Sequence, residues 1–289
     1  MVKALITGIN GFVGPYLTKE LVGHKYSVFG CSLEKKPNIS LEGIKDYFSC
    51  DMTDFLQVKF VLNSVKPDVI FHLAGFSSVG KSFENPELCF KINVDGTRNI
   101  INSIKELKVS PKLILISSAE VYGQQKKNPV GETALVNPLS PYAKSKVDQE
   151  KIALEYGNSI IIRAFNHTGL NQPDMFVIPS FRKQIREGVS GSTIFVGNID
   201  VVRDFSNVVD VVRAYRIICE KGVIGEIYNV GSGRGYSLRY ILNKMIKDSG
   251  KSFQIVVDTK KYRSVDIKEL VCDNSKINKL GIQVKNYFD

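Results

Sequence analysis

The residues best spaced for chemistry in this 289-residue sequence are a tyrosine and a lysine four positions apart, Tyr142 and Lys146. Residues 141–156 have a helical pattern, and side chains four positions apart share one face of a helix. A phenol with a reference pKa of about 10 is a weak acid or base at neutral pH, but a nearby ammonium lowers that pKa. The pair is therefore predicted to exchange a proton with a hydroxyl or a ketone. The alternative is a chance pair on an exposed helix.

The segment ISSAEVYG places Ser118 just after a strand predicted at residues 113–116. Ligands of open α/β sheets collect at the carboxyl ends of the strands. Ser118 is therefore predicted to hydrogen-bond the oxygen atom that reacts. The alternative is an ordinary loop hydroxyl.

Three glycines near the N-terminus, Gly8, Gly11 and Gly14, form the pattern G-x-x-G-x-x-G between a predicted strand (residues 2–6) and a predicted helix (residues 12–22). Glycine lets the chain pass close to a pyrophosphate, and the helix start offers free N–H groups to the phosphates. A purely structural glycine turn is the alternative. The position in a first strand–helix unit favours a dinucleotide cofactor.

The end of the second predicted strand, residues 27–31, bears on the choice of cofactor. An acidic residue there would bind the adenosine ribose of NAD(H), but Ser32 occupies this place and Glu34 comes later. Lys35 and Lys36 follow, and their charge would attract a 2′-phosphate. The sequence therefore favours NADP(H) over NAD(H), with two solvated loop lysines as the alternative.

Short apolar runs alternate with amphipathic segments over the first half of the chain, a pattern that indicates parallel strands joined by helices. We expect an α/β fold with a Rossmann-type, doubly wound parallel sheet over residues 1–165, which a later segment at about 200–230 rejoins. A smaller, mixed α/β C-terminal region over residues 166–289 is expected to bind the substrate. The remaining predicted strands are residues 69–73, 113–116 and 159–162, and the remaining predicted helices are residues 55–64, 85–107 and 141–156.

Composition argues against several other classes of protein. The net charge of +10 is spread along the chain, which suits an anionic small substrate better than a nucleic acid. No apolar run is long enough for a membrane helix and no secretory leader is visible, so we expect a cytoplasmic protein without a membrane partner. The five cysteines and three histidines lack metal-ligand spacing, so no metal is expected. His72 lies in an apolar run and is expected to be a packed, neutral ring.

Nine motifs occur in order along the chain: TGINGFVG, CDMTD, FHLAG, KINVDGT, SSAEVYG, YAKSK, RAFNHTG, RDFSNVVDVVRAY and EIYNVGSG. With them the sequence resembles the extended short-chain dehydrogenase/reductase family, whose members are NAD(P)-dependent enzymes of sugar nucleotides. Within that family, RAFNHTGLNQ, MFVIPSFRKQI and YRSVDIKELVCDNSKINKLG resemble segments of the reductases of GDP-4-keto-6-deoxy-D-mannose. The resemblance implies reduction of the 4-keto group of a GDP-linked deoxy sugar, to GDP-D-rhamnose or its C4 epimer.

The resemblance also implies roles for individual residues. The implied catalytic residues are Ser118, Tyr142, Lys146 and Asn93, the last supporting the lysine through water. The implied cofactor-binding residues are Gly8, Asn10, Gly11, Phe12, Gly14, Ser32, Asp51, Met52, Leu73, Ala74 and Gly75, together with Tyr142 and Lys146. The implied substrate-binding residues are Ser78, Val79, Glu120, Asn166, Val177, Arg203, Arg263 and Asp266. For the two arginines the alternative is a surface ion pair, for instance that of Arg203 with Asp204.

Departures from the reductase pattern keep other reactions open. Leu33 stands where these reductases can carry a basic residue, and Ala119 where related dehydratases carry an acidic or polar one. Glu120, a dehydratase feature, is present. The alternatives are a 4,6-dehydratase or 4-epimerase that recycles its cofactor, and a non-catalytic NADP(H)-binding regulatory protein. The family also implies a homodimer through a four-helix bundle, formed by residues 85–107 and 141–156.

Overall fold

The computed structural model describes residues 1–37, 41–259, 262 and 265–289. Strands and helices alternate over the N-terminal half of the chain, as the apolar pattern predicted. The strands are β1 (Lys3–Thr7), β2 (Ser27–Ser32), β3 (Asp46–Ser49), β4 (Val69–His72), β5 (Lys112–Ser118), β6 (Ser159–Ala164), β7 (His167–Thr168), β8 (Thr193–Val196), β9 (Val202–Arg203), β10 (Ser206–Asn207), β11 (Ile227–Val230), β12 (Tyr236–Ser237), β13 (Gln254–Val257) and β14 (Glu269–Leu270).

The α-helices are α1 (Gly14–Gly23), α2 (Phe55–Val65), α3 (Val79–Glu84), α4 (Pro86–Phe90), α5 (Gly96–Leu107), α6 (Pro141–Tyr156), α7 (Val177–Glu187), α8 (Val208–Lys221), α9 (Leu238–Asp248) and α10 (Ser275–Asn278). A π-helical turn (Lys91–Asp95) lies between α4 and α5, and a 3-10 helix (Ala119–Tyr122) follows β5.

Seven parallel strands form the central sheet, in the order β11-β6-β5-β4-β1-β2-β3. The chain passes from β1 to β2 and β3, and then returns with β4 to the other side of β1. A reversal of this kind opens a crevice at the carboxyl ends of the two strands, where ligands bind. The expected Rossmann-type sheet is confirmed, and β11 adds residues 227–230 to one edge of it.

The inner strands are buried on both faces of the sheet. Every residue of β4 (VIFH) and β6 (SIIIRA) is buried, which explains why their sequences are largely apolar without alternation. Apolar side chains of α1 and α8 cover one face, and those of α2, α5 and α6 cover the other. This packing fixes the strand ends on which the candidate site is built.

Two helical segments carry the candidate catalytic residues. Helix α6 begins after Ser140, whose hydroxyl accepts a hydrogen bond from the amide of Ala143 (3.0 Å), and it ends at Gly157 in the left-handed region. Its bounds agree with the prediction. The single helix predicted over residues 85–107 is wrong in detail, because a π-helical turn interrupts it and buries the side chain of Asn93.

The C-terminal part packs a separate apolar cluster beside the sheet, made mainly by α7, α9 and the pair β8–β13. Strands β9, β12 and β14 form a small additional sheet. Among the described residues, no helix is long and apolar enough to cross a membrane, and no group of three His, Cys, Asp or Glu side chains converges. All five cysteines are buried free thiols.

Candidate active site

A cleft of about 640 Å³ opens at the carboxyl ends of the central strands. All the residues predicted to bind a cofactor line it, including Tyr142 and Lys146, and so does Ser118. Five of the residues predicted to bind substrate line it as well: Ser78, Val79, Glu120, Asn166 and Val177. Asn93, Arg203 and Asp266 do not line the cleft, and Arg263 lies outside the described residues.

The glycine turn after β1 closely approaches the backbone after β4. Gly8 has φ +68°, and a Cβ added to it would lie 2.7 Å from the backbone of Ala74. A Cβ on Gly14 would lie only 2.0 Å from the carbonyl oxygen of Ile9. The amide of Gly8 also donates to the carbonyl of Cys31 (2.7 Å). These positions need glycine for the turn itself, and the turn leaves the start of α1 facing the cleft.

Tyr142 and Lys146 both lie on the buried side of α6. Their exposed fractions are 9% and 6%, and the ammonium nitrogen of Lys146 lies 5.8 Å from the centroid of the Tyr142 ring. The same nitrogen donates to the carbonyl oxygen of Ile116 (3.0 Å). The helical spacing therefore brings the phenol and the ammonium into one site.

The electrostatics of Tyr142 differ from the expectation. Burial raises the pKa of the phenol well above its usual value, and the hydrogen bond from Ser118 only partly opposes this effect. The nearby carboxylate of Glu120 raises the pKa further. The expected lowering by Lys146 is thus wrong for this arrangement, because desolvation outweighs an ammonium at this distance. Tyr142 is therefore a neutral phenol at pH 7 and carries a proton that it can donate.

Lys146 is shifted in the opposite direction. Burial lowers the pKa of its ammonium to about 8, although the acidic groups of Cys89 and Glu150 raise it. A buried cation is costly unless it is hydrogen-bonded, and here the Ile116 carbonyl accepts from it. Lys146 is therefore charged at neutral pH and loses its charge in mildly alkaline solution.

Asn93 lies behind the cleft wall and joins two elements. Its side-chain amide donates to the hydroxyl of Ser145 on α6 (2.8 Å), and its carbonyl accepts from the amide of Phe76 (2.7 Å). A Cβ on Gly75 would lie 2.7 Å from this carbonyl and 3.6 Å from the Lys146 nitrogen. Asn93 is therefore placed to fix the distance between Lys146 and the loop after β4.

His72 ends β4 beneath the same loop. Its ring nitrogens are hydrogen-bonded with the hydroxyls of Thr7 (2.7 Å) and Thr97 (3.1 Å). Burial, with a contribution from the charge of Lys146, lowers the pKa of the ring to about 3. His72 is the packed, neutral ring that the sequence predicted.

A buried ion pair behind Ser118 escaped the sequence prediction. Arg163 on β6 binds Glu150 on α6 through two hydrogen bonds of 3.0 and 2.7 Å, and Ser117 donates to the same carboxylate. The guanidinium also lies 4.8 Å from the centroid of the Tyr122 ring. The only signal for this pair was an arginine within an otherwise apolar strand.

Asn10 of the glycine turn contacts the end of β2. Its side-chain amide donates to the Glu34 carboxylate (3.0 Å), and the Tyr47 hydroxyl donates to the Glu34 carbonyl (2.7 Å). Glu34 and Ser32 line the cleft, whereas Lys35 and Lys36 do not. The carboxylate of Glu34, which follows the end of β2 in the sequence, is therefore a charged group of this end of the cleft, together with that of Asp51.

The two predicted substrate-binding residues outside the cleft bind each other. Arg203 is 5% exposed, and its guanidinium donates a hydrogen bond to the carboxylate of Asp266 (3.0 Å). The alternative of a surface pair between Arg203 and Asp204 is wrong. Asp204 is fully buried and accepts hydrogen bonds from Ser232, Gly233 and Cys272.

Residues 165–178 form a wall of the cleft that sequence reasoning predicted only at Asn166 and Val177. The His167 ring stacks on Phe12 of the glycine turn, with centroids 6.1 Å apart and an interplanar angle of 11°. The cleft residues missed in this segment include Phe165, His167, Gln172, Pro173, Met175, Phe176 and Ile178. Their irregular backbone gave no periodic signal.

Comparison with known proteins gives the chain its family. A family model described as GDP-mannose 4,6-dehydratase matches residues 5–289. The chain belongs to this family. It is 33% identical over 222 residues to GDP-6-deoxy-D-mannose reductase of Pseudomonas aeruginosa, covering 73% of each chain. It is 32% identical over 288 residues to GDP-6-deoxy-D-talose 4-dehydrogenase of Aggregatibacter actinomycetemcomitans, covering 96% of this chain and 91% of the relative.

Solved structures support the assignment to this dehydratase family. The structure of RMD from Pseudomonas aeruginosa complexed with NADPH superposes with a TM-score of 0.86 at 27% identity, covering 100% of this chain and 95% of that one. The UDP-glucose 4-epimerase of Thermus thermophilus in complex with NAD has a TM-score of 0.88 at 25% identity, covering 98% and 94%. The protein is thus a sugar-nucleotide-modifying member of the short-chain dehydrogenase/reductases, with NAD(P) as cofactor. The glycine turn lines the cleft at the start of α1, and this arrangement suits the phosphates of that cofactor.

Proposed function

We propose that the protein is a reductase that uses NAD(P)H to reduce the 4-keto group of GDP-4-keto-6-deoxy-D-mannose, forming GDP-D-rhamnose. The observation that carries the proposal is the convergence of Ser118, Tyr142 and Lys146 in one cleft, where the Tyr142 phenol is hydrogen-bonded to Ser118. Reduction of a ketone needs a proton donor at the carbonyl oxygen, and the Tyr142 phenol, which is protonated at neutral pH, can supply that proton. The similarity to a GDP-6-deoxy-D-mannose reductase supports the choice of sugar.

In the proposed reduction, each of several side chains has a separate role. When bound by the glycine turn, Tyr142 and Lys146, NAD(P)H would supply the hydride that reduces C4 of the sugar. Tyr142 donates its proton to the C4 oxygen, while Ser118 hydrogen-bonds that oxygen and the phenol. The charged Lys146 then stabilises the phenolate that remains. Asn93 keeps α6 and the loop after β4 at a fixed separation.

A dehydratase is the principal alternative, because Glu120 lies in the cleft near Tyr142. A 4,6-elimination needs a second acid or base beside the sugar, and Glu120 could act as one. Ala119 supplies no such group next to Ser118, and this absence favours reduction. The regulatory-protein alternative requires no converging Ser118, Tyr142 and Lys146, so their convergence favours an enzyme.

Stereochemistry at C4 follows from the sugar face presented to the cofactor. The product is GDP-D-rhamnose in one orientation and its C4 epimer, GDP-6-deoxy-D-talose, in the other. Similarity to a GDP-6-deoxy-D-talose 4-dehydrogenase over almost the whole chain makes the epimer the second candidate. Ser78, Val79, Asn166 and Val177 are proposed to contact the sugar nucleotide from the cleft.

NADPH is the proposed reductant, supported by Ser32 in the cleft and by the NADPH complex of a structural relative. The carboxylate of Glu34 opposes a 2′-phosphate and favours NADH, so both cofactors belong in the assay. We also propose a cytoplasmic homodimer paired through α4–α5 and α6. Exposed Leu88 and Leu154 on these helices support that surface, and analytical ultracentrifugation tests it.

The deciding experiment incubates the protein with GDP-4-keto-6-deoxy-D-mannose and either NADPH or NADH, and identifies the sugar by NMR. Equimolar oxidation of the cofactor with formation of GDP-D-rhamnose supports the proposal. Formation of the C4 epimer with the same stoichiometry supports a reductase of opposite stereochemistry. Conversion of GDP-mannose to the keto sugar without net oxidation of cofactor identifies a dehydratase. Cofactor binding without turnover of either substrate contradicts an enzymatic role.

A further inference from the structure

Tyr215 on α8 has a buried hydroxyl that lacks a hydrogen-bond partner among the described residues. The residue is 0% exposed, and its oxygen forms no hydrogen bond with any part of the chain that the structure describes. Tyr122, equally buried, donates instead to the side-chain oxygen of Asn229 (2.7 Å). A buried polar group left unpaired destabilises a protein, and phenylalanine would fill nearly the same space without this cost. The hydroxyl of Tyr215 therefore calls for a partner from outside the chain.

The cleft is where such a partner enters, because Tyr215 is one of the residues that line it. Tyr215 belongs to the same apolar cluster as Ala164, at the end of β6. Ala164 is the register partner of Ser118 on β5, and Ser118 is hydrogen-bonded to Tyr142. Helix α8 also contacts β6, the strand that ends at Ala164, so it packs Tyr215 near the part of the cleft where the candidate reaction takes place.

Electrostatics agree with this position. Burial raises the pKa of Tyr215 well above its usual value, and the Tyr142 phenol raises it further because the two groups are close enough to interact. Tyr215 is therefore a neutral hydroxyl that can both donate and accept one hydrogen bond. A charged phosphate is a poor match for a site walled by the apolar cluster of Ala164, whereas a neutral amide suits it.

We propose that the Tyr215 hydroxyl hydrogen-bonds the carboxamide of the bound nicotinamide and thereby sets the orientation of the ring. The carboxamide has both an N–H donor and a carbonyl acceptor. It can therefore accept a hydrogen bond from the phenol or donate one to it. The inference depends on NAD(P) binding alone and not on which sugar the enzyme reduces. Failure of the reductase assay above would leave it intact.

The test measures binding by isothermal titration calorimetry to wild-type protein and to Tyr215→Phe. The ligands are NADPH and 2′-phospho-ADP-ribose, which lacks the nicotinamide, with NADH and ADP-ribose as the second pair. We expect Tyr215→Phe to bind the dinucleotide about 3- to 10-fold more weakly, the range of one neutral hydrogen bond. Affinity for the nicotinamide-free ligand should stay within about twofold of wild type.

Tyr122→Phe is the matched control, since it removes a buried hydroxyl that already has a protein partner. It should lower the melting temperature and leave both affinities unchanged, whereas Tyr215→Phe should keep or raise the melting temperature of the cofactor-free protein. Equal losses of affinity for dinucleotide and nicotinamide-free ligand would overturn the proposal, and so would unchanged affinity for both. A lower melting temperature for Tyr215→Phe would show that the hydroxyl serves the fold instead.

Discussion

The ammonium nitrogen of Lys146 lies 3.0 Å from the carbonyl oxygen of Ile116, two residues before Ser118 on β5. This hydrogen bond joins α6 to the strand that carries Ser118, so the helix and the strand hold their catalytic candidates at a fixed separation. The same contact lets a cation persist in a buried place, where desolvation would otherwise favour the neutral amine.

Activity should fall in alkaline solution as Lys146 loses its charge. Burial lowers the pKa of this ammonium to about 8, so kcat/KM for reduction should decline above about pH 8. A pH profile of kcat/KM measures this limb, because it reports groups of the free enzyme. Lys146→Arg should retain some activity and move the limb to higher pH, since a guanidinium does not titrate there. A limb that stays at pH 8 in this variant would assign it to another group.

Removing the buried cation should stabilise the fold while abolishing activity. Lys146 has a pKa of about 8 in the folded chain and about 10.5 when exposed, so burial of its charge opposes folding below pH 8. Lys146→Met should raise the free energy of unfolding at pH 7 by about 1–3 kcal/mol, less the lost hydrogen bond to Ile116. The gain should shrink between pH 8 and 10.5, where the folded lysine is already neutral.

Urea unfolding of Lys146→Met at several pH values measures this effect. Lys144→Met, an exposed lysine on the same helix, is the control and should change stability little. If Lys146→Met were less stable than wild type, the contacts of the ammonium would stabilise the fold by more than its desolvation destabilises it.

Loss of the proton donor should slow the chemistry without affecting cofactor binding. Tyr142→Phe keeps the ring packing but removes the hydroxyl that Ser118 binds. General acid catalysis is worth about 10²- to 10⁴-fold, so kcat for reduction should fall by at least 10²-fold. Isothermal titration calorimetry should still detect binding of the cofactor to Tyr142→Phe. Tyr156→Phe on the same helix, whose hydroxyl contacts the Pro111 carbonyl, should remain active, and wild-type turnover of Tyr142→Phe would remove this residue from the mechanism.

Patterns of local spacing predicted the sheet, the glycine turn and the position of α6. These features depend on residues close in sequence: the left-handed Gly8 and the four-residue interval from Tyr142 to Lys146 are examples. Such patterns do not predict contacts between residues that are far apart in the sequence. The partner of Arg203 is Asp266, 63 residues away, whereas proximity in sequence suggested Asp204. The pKa of Tyr142 rises because the tertiary fold buries it, which an interval of four residues cannot show.

The charge of Glu34 should influence the choice between the two nicotinamide cofactors. Its carboxylate lies in the cleft, 3.0 Å from the side-chain amide nitrogen of Asn10. The negative charge of this carboxylate would repel a 2′-phosphate, which is also negative. Glu34→Gln should therefore bind NADPH several-fold more tightly while changing NADH affinity less. Calorimetric titrations with both cofactors give the ratio, and Glu42→Gln, an exposed carboxylate outside the cleft, is the control. An unchanged ratio would place the 2′-phosphate away from this carboxylate.

The pair of Arg203 and Asp266 should contribute to stability, and the same variants test the substrate-binding role that the family resemblance implies for Arg203. Arg203→Ala removes the cation that binds the Asp266 carboxylate at 3.0 Å, and breaking a largely buried pair costs about 3 kcal/mol in the free energy of unfolding. If the guanidinium also binds the nucleotide diphosphate, KM should rise with little change in kcat, because the interaction is uniform along the reaction. Asp266→Asn keeps the guanidinium in place and separates the two effects: it should destabilise the chain but preserve KM. Equal KM values for Arg203→Ala and wild type would reduce Arg203 to a structural role.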